Sequence, residues 1–377
     1  MIWYVGYGVL LAALFGVQIF FVWVWNKSKD HDPGVYSTDF PAVTILIPVR
    51  NESGRISRCL QSLVDQNYPR DLVQILVIDD HSTDHTVDEV YMFPNVGILH
   101  LEARESGKKK AIHLGVKHAR NDIILTIDGD CRVEKNWLAT MAARWVDSEV
   151  GLVAGPVWMV PENSTFIQKF QELEQAALNV LTFSGLHTGL VLSANGANMG
   201  YRKSQYLSAN PYDDNQHLVS GDDVFFAQKV VESGERVDYV QDPEALVFTS
   251  PVPSFQLFIQ QRLRWAGKSS DYSHRSTQLY LGLFGIVNIL LAVLFFVGLW
   301  MPKVFTMLLI GLFVKFVVDY VVIQAGMRWG CRPVCWQDIL KASLFQVVYV
   351  NYVLVLLATG RKTNWKGRTV GSGSGPE

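Results

Sequence analysis

The chain contains three short acidic groups whose composition can support metal binding and proton transfer. They are Asp79-Asp80, Asp128-Gly129-Asp130 and Gly221-Asp222-Asp223. Two carboxylates one residue apart, as in the second group, repel each other unless a cation lies between them. Mg2+ and Mn2+ take such hard oxygen ligands and can bridge them to a diphosphate. Asp128 and Asp130 therefore predict a divalent metal site for a substrate that carries a diphosphate.

The third acidic group can supply a general base. Group transfer to a hydroxyl needs a carboxylate that accepts the hydroxyl proton, and we interpret Asp223 as that base. Its neighbour Asp222 is either a contact to the acceptor or an N-terminal cap of the helix that we predict over residues 224–231. Gly-Asp-Asp also occurs in polymerases, but the sequence indicates no basic channel for a nucleic acid.

Two glycine-containing segments each have one structural and one functional interpretation. Gly107 and Lys108 form either a solvated basic turn or a turn that brings Lys108 to an anionic nucleotide. Residues 193–200 are small and polar, and form either a plain turn or a wall that a ligand approaches closely. In the second interpretation Asn198 contacts the acceptor. The sequence leaves both alternatives open.

A further motif, Gln261-Arg262-Leu263-Arg264-Trp265, precedes a long apolar region. Residues 254–265 have helical apolar spacing, which predicts an amphipathic helix on a membrane surface. Arg264 can contact a diphosphate through charge-assisted hydrogen bonds, and Trp265 can stack against a sugar or acceptor ring. The membrane-surface position and the binding role are compatible.

Alternating strands and helices are expected to position the acidic groups. Short apolar runs predict buried parallel strands over residues 43–48, 73–78, 97–101, 123–127 and 153–157, and helices over 56–65, 86–91 and 109–119. We therefore predict an α/β fold with a doubly wound sheet. Ligands bind such sheets beyond the carboxyl ends of the strands, where Asp79 and Asp128 lie. We interpret Ser82 and Thr83 as caps of the helix over 86–91.

The bulk composition excludes some classes of protein. Hydrophobic residues make up 49% of the 377 residues and the mean hydropathy is +0.15, which is high for a soluble protein. The net charge of −2 provides no field that would attract nucleic acid. Cys59 and Cys131 are expected to pack as small apolar residues. Cys331 and Cys335 form an isolated pair without further ligands at zinc spacing, so we predict no zinc site.

Four apolar segments predict an integral membrane protein. Residues 2–25 carry no charge and are long enough to cross a bilayer of ~30 Å at ~1.5 Å per residue. We interpret them as a retained anchor, because a signal peptide would have a basic start and a shorter apolar centre. Three more apolar stretches lie near residues 278–300, 304–326 and 339–359. Lys315 and Asp319 lie one helical turn apart in the second of these stretches and are expected to pair.

The distribution of basic residues predicts the orientation. Lys27 and Lys29 follow the anchor, and by the positive-inside tendency they place the next domain in the cytoplasm, at a bacterial inner membrane. If the anchor leads into the cytoplasm and all three later segments cross the membrane fully, the chain ends outside the cytoplasm. The basic residues of 361–368 would then lie outside, against the same tendency. We favour a tail on the catalytic side, which requires one of the segments to be re-entrant or interfacial.

The predicted organisation has five parts. They are an anchor over residues 1–26, an α/β catalytic domain over 40–250, an interfacial helix over 251–276, membrane helices over 277–360 and a basic tail over 361–377. Within the second part, residues 165–181 have the spacing of an amphipathic helix. We favour packing in the core of that domain, and an interfacial position is the alternative.

The acidic groups and the Gln-x-x-Arg-Trp motif, in this order, resemble the membrane-bound family 2 glycosyltransferases. That family includes ceramide and carotenoid glycosyltransferases and, more distantly, hyaluronan and cellulose synthases. The resemblance covers residues 40–265 and the flanking membrane segments. It implies a GT-A fold, an inverting reaction, a nucleotide-sugar donor, and Mg2+ or Mn2+ as cofactor.

The resemblance also implies roles on the donor side. Asp79 corresponds to the residue that contacts the nucleotide base. Asp128 and Asp130 correspond to the pair that binds the metal and the donor diphosphate. Lys108 has no counterpart in these motifs, and its expected contact with the nucleotide comes from its charge alone.

On the acceptor side, the resemblance implies that Asp223 is the catalytic base. Gln261, Arg264 and Trp265 correspond to the motif that closes over the diphosphate and the acceptor. Trp365 begins a Trp-Lys-Gly-Arg sequence that resembles a C-terminal element of lipid-modifying members, so we expect it near the acceptor. This element also supports a tail on the catalytic side.

Three functions are compatible with these observations. The leading hypothesis is sugar transfer from a nucleotide sugar, expected to be a UDP-sugar, to a lipid hydroxyl at the cytoplasmic face. The alternative is a processive polysaccharide synthase, but such an enzyme must build a polymer channel and four apolar segments are few for that. A non-catalytic membrane scaffold is the third hypothesis, and the intact acidic groups argue against it. A glycoside hydrolase also uses two carboxylates but needs no cradle for a diphosphate.

Overall fold

The computed structural model describes residues 2–28, 40–146, 149–191, 193–209, 222–361, 363–365 and 368–370. The chain divides into two compact units. The first, here the helical unit, draws on Met1–Asp30, Pro161–Val191 and Pro251–Thr363, and the second, here the sheet unit, on His31–Val160, Leu192–Ser250 and Asn364–Glu377.

Helices and strands alternate through most of the sheet unit. The helices of the chain are α1 (Ile2–Lys27), α2 (Ile56–Val64), α3 (Thr86–Tyr91), α4 (Lys108–His118), α5 (Trp137–Ala142), α6 (Phe166–Thr188), α7 (Lys203–Ala209), α8 (Asp222–Glu232), α9 (Phe255–Ala266), α10 (Arg275–Gly298), α11 (Pro302–Trp329) and α12 (Trp336–Ala358). The strands are β1 (Val43–Val49), β2 (Val73–Asp79), β3 (Val96–His100), β4 (Ile123–Thr126), β5 (Arg132–Val133), β6 (Val150–Ala154), β7 (Val157–Met159), β8 (Met199–Arg202), β9 (Arg236–Tyr239), β10 (Val247–Thr249), β11 (Thr363–Trp365) and β12 (Arg368–Val370).

A seven-stranded sheet in the order β3-β2-β1-β4-β8-β6-β9 forms the centre of the sheet unit. Strands β1 to β4 pair in parallel, whereas β8 runs antiparallel to both β4 and β6. A smaller sheet has the order β5-β10-β7. The predicted α/β sheet is therefore confirmed, with one reversed strand that the apolar pattern did not predict.

The apolar runs form strands because both faces of the sheet are covered. Val43, Ile45 and Ile47 of β1 are completely buried, and all four residues of β4 are buried as well. Alternation of apolar and polar residues is absent from such strands, since neither face meets water. Each fully buried side chain of this size contributes roughly 1.5–3 kcal/mol through removal from water.

The long helix α6 differs from its prediction in length and in location. It continues to Thr188, and it belongs to the helical unit, so it interrupts the catalytic domain expected over residues 40–250. Phe183 packs edge-on against Trp25 of α1 at 5.3 Å. A Cβ atom on Gly326 of α11 would lie 2.2 Å from the carbonyl oxygen of Ala176. Packing of α6 in a core is therefore confirmed, but the core is that of the helical unit.

Four helices of the helical unit are long and apolar enough to cross a membrane. They are Val5–Lys27, Arg275–Gly298, Pro302–Trp329 and Trp336–Ala358. Large apolar side chains point away from the unit, including Phe296, Phe313 and Val348, each about two-thirds exposed. A membrane would cover this apolar surface, which supports the predicted membrane association.

The predicted charge pair in the second of the later segments is present. Lys315 Nζ lies 2.5 Å from Asp319 Oδ2 within α11. Ser343 of α12 donates a hydrogen bond to the same carboxylate, and Lys315 donates one to Gln346. The ammonium and the carboxylate are thus satisfied inside the helical unit, as charges in a membrane must be.

Candidate active site

The register of the parallel strands places the first two acidic groups at one edge of the sheet. Asp79 is opposite Val49, the last residue of β1, and Thr126 at the end of β4 is opposite Leu46. Asp128 follows Thr126 by two residues, so it lies beyond the same carboxyl ends. This is the edge at which parallel α/β sheets bind ligands.

Asp79 and Asp80 are nearly buried at this edge. Asp79 accepts a hydrogen bond from the Ser82 amide, and its Oδ2 lies 3.3 Å from His100 Nδ1. The Asp80 carboxylate accepts the amide hydrogen of Gly107 at 2.9 Å. Arg50 donates to the carbonyl oxygen of Asp80 at 2.7 Å. These contacts fix the loops that follow β1, β2 and β3.

Two further basic residues at this edge, Arg50 and His100, were not among the predicted site residues. Arg50 follows the last residue of β1, and His100 ends β3 opposite Asp79. A signal for each was available, because His100 ends an apolar strand as Asp79 does, and Arg50 follows the last residue of one as Asp80 does.

The predicted caps of α3 are wrong. Ser82 Oγ accepts the amide hydrogen of Asn51, and the Thr83 amide donates to Asn51 Oδ1. The first helical amide, that of Thr86, donates to Asp84 Oδ1 instead. Ser82 and Thr83 therefore hold the loop after β1, in which Asn51 has a left-handed φ of 54°.

Asp128 and Asp130 flank a glycine that packs tightly against β1. A Cβ atom on Gly129 would lie 2.7 Å from Val49 Cγ1 and 3.4 Å from Glu52 Cγ. Any larger residue would push the loop away from the sheet. The close packing of Gly129 thus sets the position of the two carboxylates.

Two cysteines lie beside this acidic pair. Both are buried, as expected of cysteines that pack as small apolar residues. Cys59 Sγ lies 3.7 Å from the carbonyl oxygen of Asp128, and Cys131 Sγ lies 3.6 Å from Asp130 Oδ1. Burial, followed by the nearby carboxylates, raises the pKa of both thiols well above its usual range. The thiols are therefore neutral at physiological pH.

Lys108 is the cation nearest to Asp128 among the contacts of the described residues. Its Nζ lies 2.6 Å from Asp128 Oδ1, and the Lys108 side chain is 21% exposed. Gly107 has a φ of +102°, which a residue with a Cβ rarely adopts, and α4 begins directly after it. The turn brings Lys108 to the acidic edge, where its side chain is mostly covered and paired rather than solvated.

The acidic pair fits a divalent cation of the Mg2+ type. Such a cation is commonly held by one or two carboxylates together with substrate phosphates. Asp128 and Asp130 provide hard oxygen donors at a partly exposed position. Among the described residues, no group of three or more His, Cys, Asp or Glu side chains is arranged around a cation position, so substrate or water would complete the coordination.

The candidate base Asp223 is held at the same edge by two backbone amides. Gly196 donates to Asp223 Oδ2 at 3.2 Å, and the Val224 amide donates to Oδ1 at 2.8 Å. Gly196 precedes β8, whose first residue, Met199, is opposite Thr126 at the end of β4. Residues 193–198 therefore support the base. The side chain of Asp222 lies outside the described residues.

Asn198 does not suit a contact with an acceptor, and this expectation is corrected. Its side chain is completely buried. It accepts a hydrogen bond from Trp137 Nε1 and donates to the carbonyl oxygens of Pro156 and Ala245. A fully bonded amide in the interior stabilises the junction of the two sheets and leaves no face for a ligand.

The Gln-x-x-Arg-Trp motif lies on α9, in the helical unit. The predicted helix over 254–265 is confirmed to within one residue at each end, and Ser254 caps it by accepting the amide hydrogen of Leu257. Gln261, Arg264 and Trp265 are each partly exposed. Trp365 belongs to β11, and its side chain lies outside the described residues.

Comparison with known proteins agrees with this geometry. Residues 44–206 match the model of glycosyl transferase family 2. An N-acetylglucosaminyltransferase of Rhizobium meliloti (strain 1021) is 27% identical over 272 residues, which cover 69% of this chain and 63% of that protein. Glycosyltransferase AglE of Haloferax volcanii is 26% identical over 215 residues, 55% of this chain and 66% of that protein. The chain thus spans just under two thirds of the length of these two relatives.

A solved structure has the same fold. The mannosyltransferase PcManGT of Pyrobaculum calidifontis, in complex with GDP-Man and Mn2+, superimposes with a TM-score of 0.58 at 18% identity. The match covers 93% of this chain and 97% of that chain. This likeness establishes the GT-A fold for the chain.

Proposed function

We propose that the protein is an inverting glycosyltransferase, because residues 44–206 match the model of glycosyl transferase family 2. It transfers a sugar from a nucleotide-sugar donor to the hydroxyl group of a lipid at the cytoplasmic face of the membrane. The observation that carries this proposal is the strand register, which brings Asp79, Asp128 and the loop that holds Asp223 to one edge of the sheet.

On the donor side, we assign the nucleotide to the edge formed by the ends of β1, β2 and β4. Asp79 contacts the base, and Lys108 contacts the anionic part of the nucleotide. Asp128 and Asp130 hold Mg2+ or Mn2+, which when bound supplies Lewis-acid stabilisation of the charge on the leaving diphosphate. The structure of PcManGT, which holds GDP-Man and Mn2+, supports a metal and a nucleotide sugar as ligands of this fold.

On the acceptor side, Asp223 accepts the proton of the attacking hydroxyl group. The hydroxyl oxygen forms a bond to the anomeric carbon while the bond from that carbon to the diphosphate breaks, so the configuration inverts. The nucleoside diphosphate leaves with the electron pair of the broken bond. The amides of Gly196 and Val224 orient the carboxylate.

We also propose roles for the motif on α9. Gln261 and Arg264 bind the diphosphate, and Trp265 stacks against the acceptor, with Asp222 and Trp365 as further acceptor contacts. The order of motifs along the chain supports these assignments. Arginine suits the task because its planar guanidinium group forms paired hydrogen bonds to phosphate oxygens.

The helical unit supports the proposed lipid acceptor and the proposed cytoplasmic location. Four candidate spans support membrane association, and a membrane-bound enzyme meets lipid hydroxyls at a membrane surface. Lys27 at the end of the first span supports the cytoplasmic side by the positive-inside tendency. We propose a UDP-sugar as donor, and GDP-mannose is the donor to compare because PcManGT binds it.

The experiment that tests this function uses the purified full-length chain in lipid nanodiscs. The protein is incubated with radiolabelled UDP-N-acetylglucosamine, UDP-glucose or GDP-mannose, Mn2+ and a bacterial lipid extract. We expect a discrete labelled product in the organic phase with one donor, lost when EDTA is added.

Two other outcomes would contradict the proposal. A labelled aqueous product of high mass would indicate a processive polysaccharide synthase. Neither transfer nor donor hydrolysis with any of the three donors would indicate a non-catalytic scaffold.

A further inference from the structure

Arg262 occupies one of the two unassigned positions of the Gln-x-x-Arg-Trp motif, and it is the most buried arginine of that motif. Only 5% of the residue is exposed, whereas Arg264 is partly exposed. Its guanidinium group forms an ion pair with Glu174 of α6. Tyr349 of α12 donates a hydrogen bond to the other oxygen of Glu174 at 2.6 Å. Three helices of the helical unit therefore meet at one arginine.

The same guanidinium group contacts two side chains of the motif. Arg262 donates a hydrogen bond to Gln261 Oε1 at 2.6 Å. Its guanidinium carbon lies 4.3 Å from the centroid of the Trp265 ring and 4.4 Å from that of Phe258. Arg262 is thus within cation–π distance of two rings while it bonds to the neighbouring amide.

Direct binding of a phosphate by Arg262 is the competing interpretation. A phosphate-binding arginine must expose its donors to the ligand, but Arg262 is almost fully covered and its charge is neutralised by Glu174. A buried ion pair of this kind contributes little net stability. The contacts of Arg262 therefore favour orientation over ligand binding.

We propose that Arg262, anchored by Glu174 and Tyr349, is a positioning residue that holds Gln261 and Trp265 in the orientation required for sugar transfer. The inference deepens the proposed function and rests on it. Gln261 and Trp265 lie one helical turn apart and so share a face of α9. Fixing both from one side restricts the rotamers of both side chains before substrate arrives, which lowers the entropy lost on binding.

Arginine is required at this position because of its shape. A lysine keeps the positive charge for Glu174, but it lacks the planar fork that lies over the Trp265 ring while separate N–H groups bond to Glu174 and Gln261. Arg262→Lys therefore preserves the ion pair and removes the positioning contacts. Glu174→Gln complements it, because this change keeps the side-chain shape and removes the charge that anchors Arg262.

The test uses the full-length chain with 5-fluorotryptophan in place of its 11 tryptophans. The fluorine resonance of Trp265 is assigned by its loss in Trp265→Phe. We expect Arg262→Lys and Glu174→Gln to shift or broaden this resonance. We also expect both to lower kcat by roughly ten- to a hundredfold, since a misplacement of about 1 Å can cost about a hundredfold in rate. The Kd for the nucleoside diphosphate should change less than kcat.

Glu172→Gln is the matched control. Glu172 is also a buried carboxylate on α6, but its partner is Lys169 at 2.8 Å. The Glu172→Gln substitution should leave kcat and the Trp265 resonance unchanged. Unchanged kcat and an unmoved Trp265 resonance in Arg262→Lys would overturn the inference, even if Tm fell, because Arg262 would then be merely structural. If the unmodified protein transfers no sugar from any donor, the proposed function fails, and the resonance alone still decides whether Arg262 positions Trp265.

Discussion

Lys108 Nζ lies 2.6 Å from Asp128 Oδ1, so the carboxylate proposed to bind a metal is already paired with a cation. The two partners are on different elements: Lys108 begins α4, and Asp128 follows β4. A metal and the ammonium group therefore compete for the same oxygen. When a nucleotide is bound, both cations can instead share the diphosphate.

This competition predicts opposite effects of Lys108→Met on two affinities. The affinity for Mn2+ alone should rise, because the competing ammonium group is gone. The affinity for the nucleoside diphosphate in the presence of Mn2+ should fall by roughly ten- to a hundredfold, since a hydrogen bond to a charged group contributes about 1.5–3 kcal/mol. Calorimetry measures both. The control is Lys110→Met on the same helix, whose ammonium group lies 3.9 Å from Glu105 and should affect neither value. Lower Mn2+ affinity in Lys108→Met would refute the competition.

Asp128→Ala tests the metal site itself. Removing one of two carboxylates should weaken binding of nucleoside diphosphate that depends on Mn2+, and the difference between affinities with Mn2+ and with EDTA should shrink. Isothermal titration with and without EDTA measures this difference. An affinity equal to that of the unmodified protein under both conditions would remove Asp128 from the metal site.

Gly129→Ala tests whether close packing sets the position of the acidic pair. The new Cβ atom would lie 2.7 Å from Val49 Cγ1, and overpacking of this kind costs about 1–3 kcal/mol. We expect a lower Tm and weaker Mn2+ binding together. Gly282→Ala is the matched control, because a Cβ atom there meets nothing within 4 Å. Unaltered Mn2+ binding in Gly129→Ala would show that the loop tolerates the shift.

The hydrogen bonds of Glu89 to the loop after β1 and to α2 are expected to be sensitive to acid. Its carboxylate accepts hydrogen bonds from Ser57, Ser53 and Gly54. The bond from the Ser57 hydroxyl is the largest of the causes that together lower the pKa of Glu89 below its usual value. A lowered pKa means that the stabilisation is present above the unfolded-state pKa of about 4.3 and is lost as the pH falls through the folded-state value.

Glu89→Gln should therefore lower Tm at pH 7 and have progressively less effect as the pH drops below about 4. Scanning calorimetry of the full-length chain across this range measures the difference. Asp88→Asn is the control, since that exposed carboxylate contacts only the exposed His85 among the described residues. A difference in Tm that is constant from pH 7 to pH 3 would contradict the assignment.

The positions of Asp79 and Asp128 could be predicted because apolar runs identify buried parallel strands, and the carboxyl ends of such strands share an edge. The unit to which α6 belongs could not be predicted, because an amphipathic stripe shows which face is buried but not what covers it. The burial of Asn198 also lacks a local signal, since its partners Trp137, Pro156 and Ala245 are distant in sequence. The contact of Gly196 with Asp223 could not be predicted either. It depends on β8, which runs antiparallel to β4, and the sequence of β8 does not indicate this direction.

The proposal that Asp223 is the catalytic base is tested most directly by two measurements on Asp223→Asn, the rate of sugar transfer and the affinity for the donor nucleotide. The amide keeps the size of the side chain but cannot accept the hydroxyl proton as a base. We predict a loss of roughly a hundred- to ten-thousandfold in kcat, with nucleotide affinity unchanged. Asp122→Asn, a carboxylate at the opposite edge of the sheet that accepts the Ser204 amide hydrogen, should retain full activity. Full transfer activity in Asp223→Asn would contradict the proposed role of Asp223 as the catalytic base.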